Sequence, residues 1–519
     1  MSDEQQPVYV IPEEYLKKER KTAQKENIMI AQLVGDLVRS TLGPKGMDKM
    51  LVDAMGDLVI TNDGATILKE TEINHPIAKI IVETAKTQEE IVGDGTTTVV
   101  ILTAELLKKA EKLIEQNIHP SVISNGYKMA CVKSIELLNK TASKIDLNDV
   151  SLLKKLVTTA MTGKKAGVKR DLYAELLVNA INQIADKGEV ELDNIKIEKK
   201  HGGKEADTQL IRGILIDKEK VHSKMPDEII NAKIALINAA LEVESTEVSA
   251  EIKIDSPDKL KAFLDQEELM IRKLVDKVIT SGANALFCQK GIDDLAQHLL
   301  AKAGIFAVRR VRSSDMDKLS KATGAKVCNS IKDLSSSDLG SAGVIKTIRV
   351  GDEKMTLVEK CVNPKAVTLL IRGSSEQVID ELKRAFEDAL GDLKMIFNNN
   401  LAVPGGGAVE VWLSKQLKGY ALSISGREQL AVQSFAEALE SVPKTLAENA
   451  GLDRIDLLTE LRSSNKMLGI DVLNGRTADM WQKGVIEPLT VKTQALTSAT
   501  ETAVMLLRVD NIIQKRSNK

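Results

Sequence analysis

Cysteine is sparse: Cys131, Cys288, Cys328 and Cys361 lie far apart among 519 residues and form no Cys-x-x-Cys pair. That argues against a zinc site or a disulfide framework and leaves buried free thiols as the expectation. The five histidines, His75, His119, His201, His222 and His298, show no metal-ligand spacing either and are read as structural or surface residues. No apolar stretch approaches the roughly 20 residues of a membrane span, and the polar start Met1–Gln6 is unlike a secretory signal. The cytosol is the expected compartment, with no membrane partner. Formal net charge is only -2 and no long basic run occurs, so charge points to no nucleic-acid partner. Solenoid-length repeats and low-complexity tracts are missing too.

What is present is a long chain of globular composition, 43% hydrophobic and 28% charged, for which two to four domains are expected. Its most informative stretch is Gly93-Asp94-Gly95-Thr96-Thr97-Thr98, which runs straight into the apolar helical stretch Val99 to Leu107. A helix start presents unpaired N–H groups and the positive end of the helix dipole, and flanking glycines let a phosphate come close. A carboxylate beside a phosphate is repulsive unless a divalent cation such as Mg2+ stands between them. Phosphate plus metal is one reading. For these residues taken alone, a turn leading into an ordinary N-cap is the plainer one.

Neighbouring segments bear on that choice. A long helix predicted from Glu13 to Ser40 stops at Thr41-Leu42-Gly43-Pro44-Lys45-Gly46, a loop with free backbone donors and a lysine. Leu58-Val59-Ile60 reads as a strand before Thr61-Asn62-Asp63-Gly64-Ala65-Thr66, so the pattern Asp-Gly-x-Thr occurs twice, at Asp63 and at Asp94. Helices are predicted over Val99 to Gln116 and Ser121 to Lys140. The small basic loop Thr162-Gly163-Lys164-Lys165-Ala166-Gly167 offers lysines that can reach a terminal phosphate or simply stay solvated.

From Gly213 onward strand-like and helix-like segments alternate, the pattern of an α/β domain. Ser256-Pro257-Asp258 starts a helix whose Phe263, Leu264, Leu269, Met270, Leu274, Val275 and Val278 are mostly core-facing on the plain reading, or a partner-binding stripe on the other. The strand Ala366 to Ile371 leads into a helix from Ser375 to Leu393, with Asp388 opposite its apolar face, near Glu381 and Arg384. Periodicity does not separate a catalytic Asp388 from a solvated one. Pro404-Gly405-Gly406-Gly407 then opens another helix; consecutive glycines imply a sharp path, a hinge or close approach to something. Val485-Ile486-Glu487-Pro488 is a last acidic turn before the final helix.

Taken together, Thr41 to Leu51, Thr61-Asn62-Asp63-Gly64, Gly93 to Thr97 and Pro404 to Gly407 resemble the group II chaperonins in order and spacing, and the resemblance covers essentially the whole chain. It implies a multidomain fold: a mostly α-helical equatorial ATP domain (1–144 and 403–519), a small α/β intermediate domain (145–213 and 371–402) and an α/β apical domain (214–370) whose helical protrusion, about 244–279, serves as a built-in lid. It also implies roles. Asp94 is the Mg2+ ligand; Leu42, Gly43, Gly95, Thr96, Thr97 and Thr98 surround the phosphates; Asp63 and Asp388 orient and deprotonate the attacking water; Lys164 senses the γ-phosphate; Gly406 and Gly407 lie against the nucleotide; Glu487 binds ribose. The cofactors are ATP and Mg2+. The partners are non-native polypeptides and identical or paralogous subunits in two stacked rings. Asn398-Asn399-Asn400 and Arg454 depart from the usual pattern, and neither removes a phosphate or metal contact. The competing readings are a small-molecule phosphotransferase and a ring scaffold that does not hydrolyse ATP.

Overall fold

Val99, Val100, Ile101, Leu102, Leu106 and Leu107 leave hardly any polar face on the stretch that follows Thr98, and a helix that is apolar all round has to be covered on every side. In the computed structural model it is. The helix Thr96–Glu115 buries all six residues against the helices Arg20–Arg39, Pro76–Val92, Glu428–Leu439 and Leu489–Leu507. Tyr127 is fully buried; its hydroxyl donates to the Leu106 carbonyl at 2.8 Å, and its ring meets Phe435 edge-on at 5.7 Å. The described residues are 15–17, 20–52, 55–71, 73–163, 169–186, 188–243, 257–351, 353–362, 364–509 and 513–515. They are mostly helical with several sheets and divide into two units, Met1–Ala174 with Arg384–Lys519, and Glu175–Lys383.

In the first unit both chain ends take part. The helix predicted from Glu13 begins only at Arg20, because Tyr15–Lys17 is a strand paired antiparallel with Ile513–Lys515. That partner is nearly 500 residues away in sequence, and tertiary pairing of this kind overrides local helix propensity. Lys49–Val52 and Leu58–Thr61 form a hairpin. A three-stranded sheet joins Leu401–Pro404 to Ile486–Pro488 and to Ser143–Lys144, with Val403 opposite Glu487. This register places the glycine triplet beside the acidic turn.

The second unit carries a seven-stranded mixed sheet. In its main path Phe306–Val308, Ala285–Cys288 and Glu228–Ile237 run parallel, and Gly340–Val350, Glu353–Glu359 and Gly213–Ile216 continue antiparallel. A separate sheet places Val367–Gly373 between Ile195–His201, parallel to it, and Gln209–Ile211, antiparallel. The helix Pro257–Ser281 buries Ile271, Val275 and Val278 but exposes Phe263, Leu264, Leu269, Met270 and Ile279, so four of the side chains read as core-facing face solvent. Residues 244–256 of the expected protrusion lie outside the described residues. The helix Glu376–Asn399 runs a turn and a half past its predicted end at Leu393, and Glu381, placed on the polar face by the helical wheel, is buried. Asp388 is half-buried.

One buried carboxylate ties several helices of the first unit together. Glu440, 1% exposed at the junction of Glu428–Leu439 and Ser441–Asn449, accepts from Lys418 at 2.8 Å, from Ser414 at 3.0 Å and from Arg462, with Lys444 at 3.4 Å. Burial alone would raise this carboxyl. The hydrogen bonds from Arg462 and Lys418, with their charges, outweigh burial and bring it down to about 2. A depressed folded-state pKa adds stability above the ordinary value of 4.5 and loses it as pH falls towards about 2. Glu440→Gln should therefore cost about 1–3 kcal/mol at neutral pH. In thermal or denaturant unfolding the gap to wild type should narrow as the pH is lowered through that window, and a gap that does not change with pH would refute the ionic account.

Candidate functional site

Asp63 sits just before the helix Gly64–Glu70 and caps it: Oδ2 accepts from the Thr66 N–H at 2.7 Å, while Oδ1 accepts from the Thr96 hydroxyl at 3.1 Å. The two Asp-Gly-x-Thr turns are thus in direct contact. Gly64 makes this possible, because a Cβ there would stand 2.7 Å from the Thr97 hydroxyl and 3.1 Å from its backbone. On the second turn Asp94 Oδ1 accepts from the Gly95 N–H at 2.7 Å, and Gly95, at φ 83°, starts the helix Thr96–Glu115. The first N–H groups of that helix have no partner within it and point out of its positive end.

A cavity of about 400 Å³ opens at this helix start. Leu42, Gly43, Asp63, Asp94, Gly95, Thr96, Thr97, Thr98, Gly406, Gly407 and Glu487 all line it. Segments far apart in sequence therefore converge on one space, and all belong to the first unit. Asn62 Nδ2 donates to the Gly163 carbonyl at 2.6 Å, which holds the turn before Lys164 over the Gly43 loop. Lys164 itself lies outside the described residues. Asn449 Nδ2 donates to the carbonyls of Arg39 at 3.0 Å and Leu42 at 2.9 Å, satisfying groups left over at the end of Arg20–Arg39.

Several wall residues escape a reading of the sequence. Asp392, 2% exposed, lines the cavity, whereas Asp388, one helical turn earlier, is not among the lining residues. Its spacing of four from Asp388 is the signal that could have nominated it. Gln88, fully buried, donates to the Asp94 carbonyl at 2.9 Å and braces the metal-type turn from below. Lys492 enters the wall between Glu410 and Glu487. Acidity also gathers beside Asp63: burial first, then Asp63 and Glu387, push the Glu89 carboxyl above its ordinary value. Among the described residues no three His, Cys, Asp or Glu side chains converge as a metal cage. Mg2+ commonly takes one or two carboxylates and completes its shell with phosphate oxygens and water. Asp94 beside a helix start whose free N–H groups can seat phosphate fits that habit.

A helix start that can seat phosphate, a carboxylate that can seat its cation and a glycine-rich wall define a nucleotide-type pocket, and comparison with known proteins gives the class. The profile of the TCP-1/cpn60 chaperonin family matches residues 34–517, and the chain belongs to that family. It is 55% identical over 521 residues, 100% of this chain and 96% of the relative, to thermosome subunit beta of Methanothermobacter thermautotrophicus. It is 52% identical to thermosome subunit alpha of Archaeoglobus fulgidus, covering 98% of this chain and 94% of the relative. The thermosome subunit of Methanocaldococcus jannaschii is likewise 52% identical, with 98% and 95% covered. The chain is a chaperone of the group II chaperonin type, in a family that uses nucleotide. No helix among the described residues is long and apolar enough to cross a membrane.

The approach of helix Glu376–Asn399 to the Asp94 turn rests on a glycine pair. A Cβ on Gly391 would stand 3.0 Å from both the Gly93 Cα and the Val92 carbonyl oxygen. A glycine inside a helix costs about 1 kcal/mol relative to alanine, and this contact is what that cost permits. Gly391→Val should force the helix off the turn, lower stability by about 1–3 kcal/mol and weaken nucleotide binding. Calorimetric titration with nucleotide beside a melting curve checks both effects, and unchanged affinity would show that the contact is immaterial to the pocket.

Proposed function

We propose that the chain is a subunit of an ATP-driven folding machine: two stacked rings of identical or paralogous subunits capture non-native polypeptides in the cytosol and enclose them when nucleotide closes a built-in lid. The observation that carries this reading is the single cavity in which Leu42-Gly43, Asp63, the Asp94–Thr98 turn, Gly406-Gly407 and Glu487 meet. The exposed apolar side chains of Pro257–Ser281 supply a surface of the kind that holds unfolded chains. The proposed layout keeps an equatorial domain (1–144, 403–519), an intermediate domain (145–213, 371–402) and an apical domain (214–370) with a protrusion at about 244–279.

In this reading the backbone donors of Gly95 to Thr98 and of the Leu42-Gly43 loop hold the phosphates, Gly406 and Gly407 lie along the nucleotide, and Glu487 accepts from ribose hydroxyls. Asp94 holds Mg2+, which when bound offsets the charge of the phosphate chain. Asp63 and Asp388 orient the attacking water and take its proton. Asp63 is suited to the orienting share, since its cap bond and its bond from Thr96 lock the carboxylate in place. Lys164 reports the γ-phosphate. ATP must favour the closed state through contacts it makes only there.

Asp388→Ala should nearly abolish hydrolysis while ATP still binds, and Asp94→Asn should remove the Mg2+ dependence of binding. Both can be read by phosphate release alongside calorimetric titration. Wild-type turnover in the first variant would take Asp388 out of the mechanism, and a loss confined to Asp392→Asn would move the base one turn along the helix. Negative-stain images with and without ATP should show double rings that close, and compact monomers would overturn the assembly reading.

A further inference from the structure

The Glu487 side of the cavity holds a mostly buried ionic arrangement. Lys492, in the first turn of Leu489–Leu507, is 8% exposed, and its ammonium lies 2.9 Å from Glu410 Oε1 and 2.7 Å from Glu487 Oε2. Glu410 stands in the first turn of Ala408–Ala421, the helix that follows the glycine triplet, and its side chain is 4% exposed. Lys492 and Glu487 line the cavity, and Glu410 stands behind them in the core. Burying two carboxylates and one ammonium is a poor way to gain stability, because apolar residues of similar volume generally do as well or better. The arrangement is better understood through what it holds in place.

Glu487 is held at one carboxylate oxygen and lies close to backbone at the other. Lys492 takes Oε2. Oε1 lies over Gly405, where a Cβ would stand 2.5 Å away and would push the carboxylate aside. The backbone on either side is set by the pairing of Leu401–Pro404 with Ile486–Pro488. Burial, with Glu410 and Asp94 nearby, pushes the Glu487 carboxyl upward against the pull of Lys492. A carboxylate left to itself here would turn away from Glu410 towards water. The Glu410–Lys492 pair removes that freedom.

Building on the reading of Glu487 as the ribose contact, we propose that Glu410 and Lys492 are positioning residues: anchored by Glu410, Lys492 holds the Glu487 carboxylate in one orientation at the cavity wall and so sets the preference for a nucleotide that carries a 2′-hydroxyl. Neither residue need touch the sugar for this. A site built to pair a hydroxyl discriminates against the analogue that lacks it, since its own polar group is then left unpaired.

The test is equilibrium binding of ATP and of 2′-deoxy-ATP to the assembled, full-length protein, scored as the ratio of the two dissociation constants. Wild type should prefer ATP by about tenfold or more, and Glu487→Gln should bring the ratio close to one. Lys492→Met should do the same although residue 487 keeps its carboxylate. That variant leaves two acids facing each other in the core and can fail to fold. The double variant Lys492→Met, Glu410→Leu removes the orphaned charge, and with a wild-type melting temperature it should still lose the preference. A wild-type ratio in the double variant, with the ratio lost in Glu487→Gln, would show that Glu487 orients itself and would overturn the proposal alone. An unchanged ratio in Glu487→Gln, or no preference in wild type, would remove the ribose reading and the proposal with it. Equal weakening of both nucleotides in the lysine variants would reduce the pair to a structural role and overturn the proposal as well.

Discussion

Two backbone turns can border one phosphate-sized space only if almost nothing stands between them, and in this protein that constraint falls on Gly64. Any side chain there would meet the backbone and hydroxyl of Thr97. With the gap closed, one carboxylate does two jobs: Asp63 caps its own helix and receives the Thr96 hydroxyl of the next turn. The start of Thr96–Glu115 is thereby held at a fixed place relative to Asp63. Since the first half of that helix is buried on nearly every side, its N-terminus cannot retreat without disturbing the core beneath it. The pocket's rigidity is inherited from the packing beneath it.

The remaining walls are attached to this pair by polar side-chain contacts, most of them between distant segments. Asn449 holds the Leu42 loop, Asn62 holds Gly163, and Gln88 holds the Asp94 carbonyl. Each is an amide side chain spending its donors on a backbone carbonyl that helix ends or tight turns leave unpaired. The far wall is set by strand pairing, with Leu401–Pro404 alongside Ile486–Pro488 bringing the glycines to Glu487. A site assembled from both ends of a chain needs such ties, because no local sequence preference holds segments hundreds of residues apart.

This explains which parts of the structure could be read from sequence. The central helix was legible because burial of its first half on nearly every side leaves a densely apolar stretch at Val99–Leu107. The two Asp-Gly-x-Thr turns were legible because tight turns and helix caps demand particular residue types at fixed offsets. The strand Tyr15–Lys17 was not, since its only cause is the distant partner Ile513–Lys515. Nor were Gln88, Glu440, Asp392 and Lys492: a polar residue buried by remote neighbours looks, in a linear sequence, like any solvated one. Glu381 shows the same limit, polar by its position on the wheel and buried in fact. The face of Pro257–Ser281 stayed open between a core-facing and a partner-binding stripe, because periodicity identifies an apolar stripe without saying whether anything covers it; four of its side chains are exposed.

The buried charges of the first unit follow two different rules. Glu440 is surrounded by cations that are themselves partly exposed, Lys418 at 40%, Lys444 at 36% and Arg462 at 47%. Those cations keep much of their hydration, so the cluster gains attraction without desolvating every member, which is the condition under which an ion pair adds to stability. Glu410 and Lys492 are both buried, and Glu410 Oε2 lacks a hydrogen-bond partner among the described residues. That pair bears the full cost of desolvation with an acceptor to spare. A fold tolerates such a pair where something other than stability depends on it, and here the group that depends on it is the one carboxylate, Glu487, that reaches from the pair to the cavity.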